Sequence, residues 1–226
     1  MSARLAGLSS MATRRILADL AQDYESQTGA AVEIRSMGGV EAAKLVRAGE
    51  ATDIVVLASK VMGALEEEGH LAKGETRDFA RSEIAIAAPV GVALPSVADE
   101  QAVREAMLDA RKICYSTGPS GDHLKALCEK WGVPLARALV APPGVPVATL
   151  VANGEADLGF QQLSELIDQP GIQIAGPLPP EIQAVTVFSA GISATSRNAA
   201  GARAFVAYLA SLETGDAKRR HGMEPA

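Results

Sequence analysis

The chain is poor in the residues that usually carry metal, redox or nucleic-acid chemistry. Of its 226 residues, two are cysteine and three are histidine. Cys114 and Cys128 have no CxxC spacing and are too few for a disulfide framework. His70, His123 and His221 are scattered, so neither a metal site nor any cofactor is expected, and both cysteines read as small apolar residues. Aromatic residues make up 4% of the chain. Positive charge is in deficit, with 21 Lys and Arg against 27 Asp and Glu, a net charge of -6 and a pI near 5.2. That balance excludes a nucleic-acid surface, and the basic run Lys218, Arg219, Arg220, His221 reads as a solvated tail. No stretch approaches the roughly 20 apolar residues that cross a bilayer, so membrane insertion is not expected. The start, MSARLAGLSSMATRRIL, has no apolar h-region and no cleavage site. As it stands the chain is expected to be cytoplasmic, or periplasmic if a leader was removed.

What is present is a core. At 48% hydrophobic residues the chain can bury one large core or two modest ones. Short apolar runs alternate with segments of helical period, the pattern of an α/β protein with mostly parallel sheets. Strands are expected at 5–8, 31–35, 53–58, 83–89, 112–116, 156–161 and 171–176, with a long β-branched run at 182–193. Between them, Ile16, Leu17, Leu20, Ala21 and Tyr24 fall on one helical face, and further helices are expected over 40–48, 60–68, 99–109 and 198–211. Leu124, Leu127, Cys128 and Trp131 form another helical stripe. The segments VRAGEATDIVVLAS (46–59) and VANGEADLGFQQLS (151–164) share one order: helix end, Gly-Glu-Ala, Asp, apolar strand. They suggest one supersecondary unit used twice, although any helix-to-strand return favours such residues.

In parallel α/β sheets, ligands bind where strands give way to helices. Those junctions read LSSM, SMGGV, ASKV, STGPSG and QQLS. They bring together Ser9, Ser10, Ser36, Gly38, Gly39, Ser59, Ser116, Thr117, Gly118, Ser120, Gly121, Gln161 and Gln162. Hydroxyls, glycines and helix N-terminal amides suit an anion held by neutral donors, and Lys60 is the one charge among them. In STGPSG the glycines let the backbone approach a ligand, and Pro119 can open a helix. The competing reading of each junction is simple helix capping.

GLSSM, GEATDIVVLAS, FARSEIAIAAP, GPSG and GEADLGFQQLSEL, in this order and spacing, resemble the molybdate-binding protein family of ABC transporters, which has the type II periplasmic binding protein fold. The resemblance covers nearly the whole chain. It implies two lobes, 1–82 with 190–226 and 83–189, each a mostly parallel sheet flanked by helices. Two crossover hinge strands would lie near 82–89 and 185–192, with a ligand cleft between the lobes. It also implies that Ser10 and the Gly38-Gly39 turn face the ligand, that Ser120 gives a backbone N–H, that Gly144 and Val145 supply a backbone donor, and that Gln162 replaces a usual tyrosine. Glycines where serines are usual, and Gln161-Gln162 for a Val-Tyr pair, point to a larger, planar, carboxylated anion. The GPSG and FQQ variants resemble a branch that includes aconitate isomerase.

Three functions follow. The first is binding of a small organic anion, with an ABC permease as partner if the protein is exported, or of molybdate itself. The second is a cytoplasmic isomerase moving a proton across an unsaturated carboxylate, with His123 as the speculative base, Tyr115 or a serine less favoured, and Arg14, Arg15, Lys60 or Arg81 as possible cations. The third, a regulatory effector module, ranks last because no helix-turn-helix precedes the lobes.

Overall fold

The computed structural model describes residues 4–142 and 144–226. Along the chain run β1 (Leu5–Ser10), α1 (Arg14–Thr28), β2 (Val32–Met37), α2 (Gly39–Arg47), β3 (Ile54–Ala58), α3 (Ser59–Glu67) and β4 (Arg77–Ser82). Next come β5 (Ile84–Pro89), α4 (Glu100–Asp109), β6 (Ile113–Tyr115), α5 (Pro119–Trp131), β7 (Ala138–Val140), α6 (Val147–Ala152), β8 (Leu158–Gln162), α7 (Leu163–Leu166) and β9 (Ile172–Pro177). The chain ends with β10 (Thr186–Ile192), α8 (Ala199–Leu209), α9 (Gly215–Arg220) and β11 (Glu224–Pro225). It forms two compact units, Met1–Ser82 with Thr186–Ala226, and Glu83–Val185.

The first unit is a six-stranded sheet in the order β11-β4-β10-β3-β1-β2. β1 runs parallel to β2 and β3, while β10 is antiparallel to both β3 and β4. Strand β3 is apolar throughout because both its faces are covered. Ile54 and Val56 join Ile16, Leu17, Leu20, Phe205 and Leu209 of α1 and α8, whereas Val55 and Leu57 meet Ala42, Val46, Met62 and Leu65 of α2 and α3.

The second unit repeats this plan with five strands, β7-β6-β8-β5-β9. β6 is parallel to β7 and β8, and β5 is antiparallel to β8 and β9. Ile84, Ile86 and Phe160 pack with Leu124, Leu127, Cys128 and Trp131 of α5 on one face. Cys114 packs with Val147 and Val151 of α6 on the other.

The repeated sequence segments have the same local structure. Gly49 (φ 79°) and Gly154 (φ 73°) end α2 and α6 in the left-handed region. The Glu50 N–H donates to Leu45 O and the Glu155 N–H to Leu150 O, both at 3.0 Å. The Asp that follows docks each strand on its neighbour: Asp53 N–H donates to Ala6 O and its carboxylate accepts from Ala6 N–H. Asp157 N–H likewise donates to Lys112 O and its carboxylate accepts from Arg111 and Lys112 N–H.

Several expectations need correction. Both sheets are mixed rather than mostly parallel, because β10 and β5 insert antiparallel next to β3 and β8. The run 182–193 is a strand only from Thr186, since Pro179 and Pro180 open a 3-10 turn at Pro180–Ile182. The chain passes between the units within both expected crossover segments, 82–89 and 185–192. β5 lies wholly in the second and β10 wholly in the first, and the passages fall at Ser82–Glu83 and Val185–Thr186. Strands β4, β7 and β11 and the short helix α9 were not expected.

Candidate functional site

Side-chain capping divides the described helices of nine residues or more into two groups, while the shorter α6, α7 and α9 have no side-chain cap. α4 and α8 begin with side-chain caps: Asp99 accepts from the Ala102 N–H at 2.8 Å and Asn198 from the Gly201 N–H at 3.0 Å. α2, α3 and α5, and the 3-10 turn Met11–Thr13 that leads into α1, start at the carboxyl ends of β2, β3, β6 and β1, and none has a side-chain cap. The residues at these N-cap positions, Ser10, Gly38, Ala58 and Gly118, therefore make no side-chain hydrogen bond to the helix starts. Their helix N-terminal amides keep hydrogen-bonding capacity at the positive end of the helix dipole.

In the first unit, the ends of β1 and β2 come together in register, Ser9 with Ser36 and Ser10 with Met37. Ser9 is fully buried, and its hydroxyl lies 2.7 Å from that of Ser36. Its position suits holding Ser36 rather than meeting a ligand. Ser10 Oγ is 3.4 Å from Thr13 Oγ1, whose hydroxyl donates to Ser10 O at 3.1 Å. A Cβ added at Gly39 would lie 3.8 Å from Ser10 Cβ, whereas one at Gly38 would meet nothing within 4 Å. The two turns thus adjoin, with open space at the glycines. Ser59 is engaged otherwise than expected: its hydroxyl lies 3.0 Å from Asp78 Oδ1 and within hydrogen-bonding distance of Ser189 Oγ. Ser189 also donates to Asp78. Thr13, Asp78 and Ser189 were missed. Thr13 lies just past the quoted LSSM, while Asp78 comes from the unexpected β4 and reaches Ser59 through strand pairing.

In the second unit the GPSG turn has a steric basis. Gly118 has φ 108°, closed to other residues, and Pro119 opens α5. A Cβ at Gly121 would lie 1.9 Å from Ser116 O, so only glycine lets α5 start this close to the end of β6. Ser120 and Gly121 are buried, Ser116 and Gly118 half-buried and Thr117 exposed. After β7, Gly144 (φ 80°) is exposed, and the Val145 N–H is committed to Pro142 O at 3.0 Å. Val145 therefore does not supply the expected donor. Gln161 and Gln162 end β8, both buried, and Gln161 Nε2 donates to Glu165 at 2.7 Å, which leaves Gln161 Oε1 buried without a donor.

His123 Nε2 is 2.7 Å from Ile182 O. A carbonyl can only accept, so this nitrogen carries the proton and His123 ties α5 to the Pro180–Ile182 turn. Burial raises the Tyr115 phenol above its ordinary range, followed by the Cys128, Asp122 and Cys114 charges, which disfavours it as a base. Arg81 donates to Pro225 O at 3.0 Å. Arg14 and Lys60 are exposed and Arg15 half-buried, all in first helical turns. No group of three or more potential metal ligands occurs among the described residues.

Each unit has a sheet covered by helices on both faces, with uncapped helix starts at its parallel strand ends. The chain belongs to the bacterial extracellular solute-binding protein family, matching it over residues 5–224. It is 33% identical over 230 residues to an aconitate isomerase from Pseudomonas sp, covering 96% of this chain and 86% of that one. Its fold is shared with the periplasmic molybdate-binding protein of Azotobacter vinelandii, at TM-score 0.78 and 22% identity, covering 97% and 98% of the two chains. The substrate-binding domain of a putative molybdenum ABC transporter from Clostridium difficile aligns at TM-score 0.74 and 16% identity, covering 99% of each. Among the described residues no helix is long and apolar enough to cross a membrane.

Proposed function

We propose that the protein binds a small organic carboxylate through the uncapped amides and small hydroxyls at its parallel strand ends. The observation that carries this reading is the division of the helices of nine residues or more: α4 and α8, which start elsewhere, are capped, whereas α2, α3 and α5, which start at those ends, are not. The donors are neutral, so the anion is held by hydrogen bonds and helix dipoles rather than by ion pairs. Open space at Gly38, where serine would fill the turn, favours a planar anion over a compact tetrahedral one. Thermal denaturation with cis- and trans-aconitate, other di- and tricarboxylates, molybdate and sulfate tests this. A ligand at a hundredfold excess over Kd stabilises by about 2.7 kcal/mol. The carboxylates should raise Tm most, and a larger shift with molybdate refutes the choice of anion.

A second reading, isomerisation of an unsaturated carboxylate, is favoured by the 33% identity to an aconitate isomerase over nearly the full chain. An allylic C–H proton would leave for a base, the double bond would shift by one carbon, and a proton would be added at the far carbon. With Nε2 protonated, His123 could act only through Nδ1. Incubation with cis- or trans-aconitate in D₂O, followed by NMR, decides: isomerised product supports the enzyme, and binding without conversion at high protein concentration rejects it for that compound.

A further inference from the structure

Each sheet has two edge strands, and natural edges are usually blunted against pairing with another chain. Three of these edges are blunted here: β11 has two residues, β7 three, and β9 carries a register shift against β5 and ends in Gly176-Pro177. β2 is different. It runs for six residues, VEIRSM, without glycine, proline or a register shift against β1.

The register shows which of its backbone groups are spare. Leu5 N–H donates to Ala31 O, so Glu33, Arg35 and Met37 turn their N–H and C=O groups to β1, while Val32, Ile34 and Ser36 turn theirs outward. Side chains alternate as well. Val32 and Ile34 pack against the core that holds α1, whereas Glu33 and Arg35 lie on the other face and are exposed.

A second copy of β2, run antiparallel about a twofold axis at Ile34, matches both patterns at once. Ile34 pairs with Ile34 and Val32 with Ser36, outward groups against outward groups. Glu33 then faces Arg35 of the second copy in the non-hydrogen-bonded position, where Cα atoms are about 4.5 Å apart and side chains closest. Sliding the pairing by one residue sets outward groups against committed ones, and sliding it by two sets Glu33 against Glu33 or Arg35 against Arg35. The α1 wall beside this edge has the same polarity, with Arg14 at one end and Glu25 at the other, so reversal brings opposite charges together there too. Glu33 and Arg35 now hold Arg4 at 2.9 Å and Glu50 at 2.8 Å, exposed pairs that cost little to share or exchange.

We propose that the protein self-associates through β2, so that the six-stranded sheet continues into that of a second copy. The inference uses neither the anion site nor its ligand.

Sedimentation velocity over a concentration series at low ionic strength tests it, with circular dichroism to check that each variant is folded. The wild type should dimerise with Kd below about 1 mM. E33R and R35E each set like charges across the axis and should weaken association at least about tenfold. An equimolar mixture of the two, and the E33R/R35E double variant, restore opposite charges and should regain it. In the dimer, amide exchange should slow at Val32, Ile34 and Ser36 and stay unchanged at Glu33 and Arg35, already bonded to β1. A wild type that stays monomeric throughout, single variants that associate as tightly as wild type, or slowed exchange confined to other strands would each overturn the proposal.

Discussion

Gly121→Ala puts the account of the GPSG turn under direct strain. In a helix interior, glycine to alanine ordinarily stabilises by about 0.8–1 kcal/mol. At residue 121 the new Cβ would lie 1.9 Å from Ser116 O and 3.0 Å from Tyr115 Cδ2. The oxygen is a backbone atom and cannot rotate aside, so α5 or the end of β6 must move by about 1 Å to restore contact distance. Overpacking of this kind costs about 1–3 kcal/mol, and the depth of the overlap places it at the upper end. A net loss of about 2 kcal/mol is expected, with weakened anion binding because the Ser116–Gly118 turn is displaced. Gly63 in α3 is the control: a Cβ there meets nothing within 4 Å, so Gly63→Ala should stabilise by about 0.5–1 kcal/mol. Urea unfolding would follow the single tryptophan, Trp131 at the end of α5, for the first variant, and far-UV circular dichroism for the second. If Gly121→Ala is as stable as the wild type, the close approach of α5 to β6 is wrong.

Three further outcomes are expected. Burial lowers Lys218 from 10.5 to about 8, its Nζ facing the Phe79 ring. Between pH 8 and 10.5 the unfolded chain binds a proton the native state lacks, so stability should rise with pH there, by at most about 3 kcal/mol. Lys218→Met should remove that rise, and taking the difference from wild type cancels the opposing effect of Cys114, which burial first of all raises to about 12. Burial pushes the Asp53 carboxyl up, but hydrogen bonds from Ala6, Ser196, Arg197 and Asn198 outweigh it and hold it low. Its stabilisation is complete above the ordinary carboxylate range and lost as pH falls below it, so Asp53→Asn should cost about 1–3 kcal/mol at neutral pH and flatten the acid limb of chemical unfolding. Ser120→Pro removes an N–H from the first turn of α5 and should abolish carboxylate binding in calorimetry, whereas Ser120→Ala should retain it; equal binding by the two folded variants rejects the assignment.

The sequence made the strand and helix alternation legible because the buried strands are continuous apolar runs and the helices end in left-handed glycines such as Gly29, Gly49 and Gly154. It also showed the doubling of the plan, through the paired Gly-Glu-Ala and Asp segments. It did not reveal β4, where Arg77, Asp78, Ala80 and Arg81 break any apolar alternation and pairing to β10 decides. Strand β7 is three residues long, too short for a periodic signal. The absence of caps was invisible in the sequence, since Ser, Thr and Gly are what a capped helix would also use. Ser9 and Val145 read as donors because burial and turn hydrogen bonds are not written in residue type.

The central claim is that the uncapped helix starts hold the anion, and ¹⁵N NMR during a titration with aconitate tests it at the atoms concerned. Saturable shifts are expected at the amides of Gly39 and Val40 in α2 and of Ser120 and Gly121 in α5, while those of Ala102 and Gly201, already bonded to Asp99 and Asn198, stay still. Saturable binding that leaves Gly39, Val40, Ser120 and Gly121 unmoved would contradict the account.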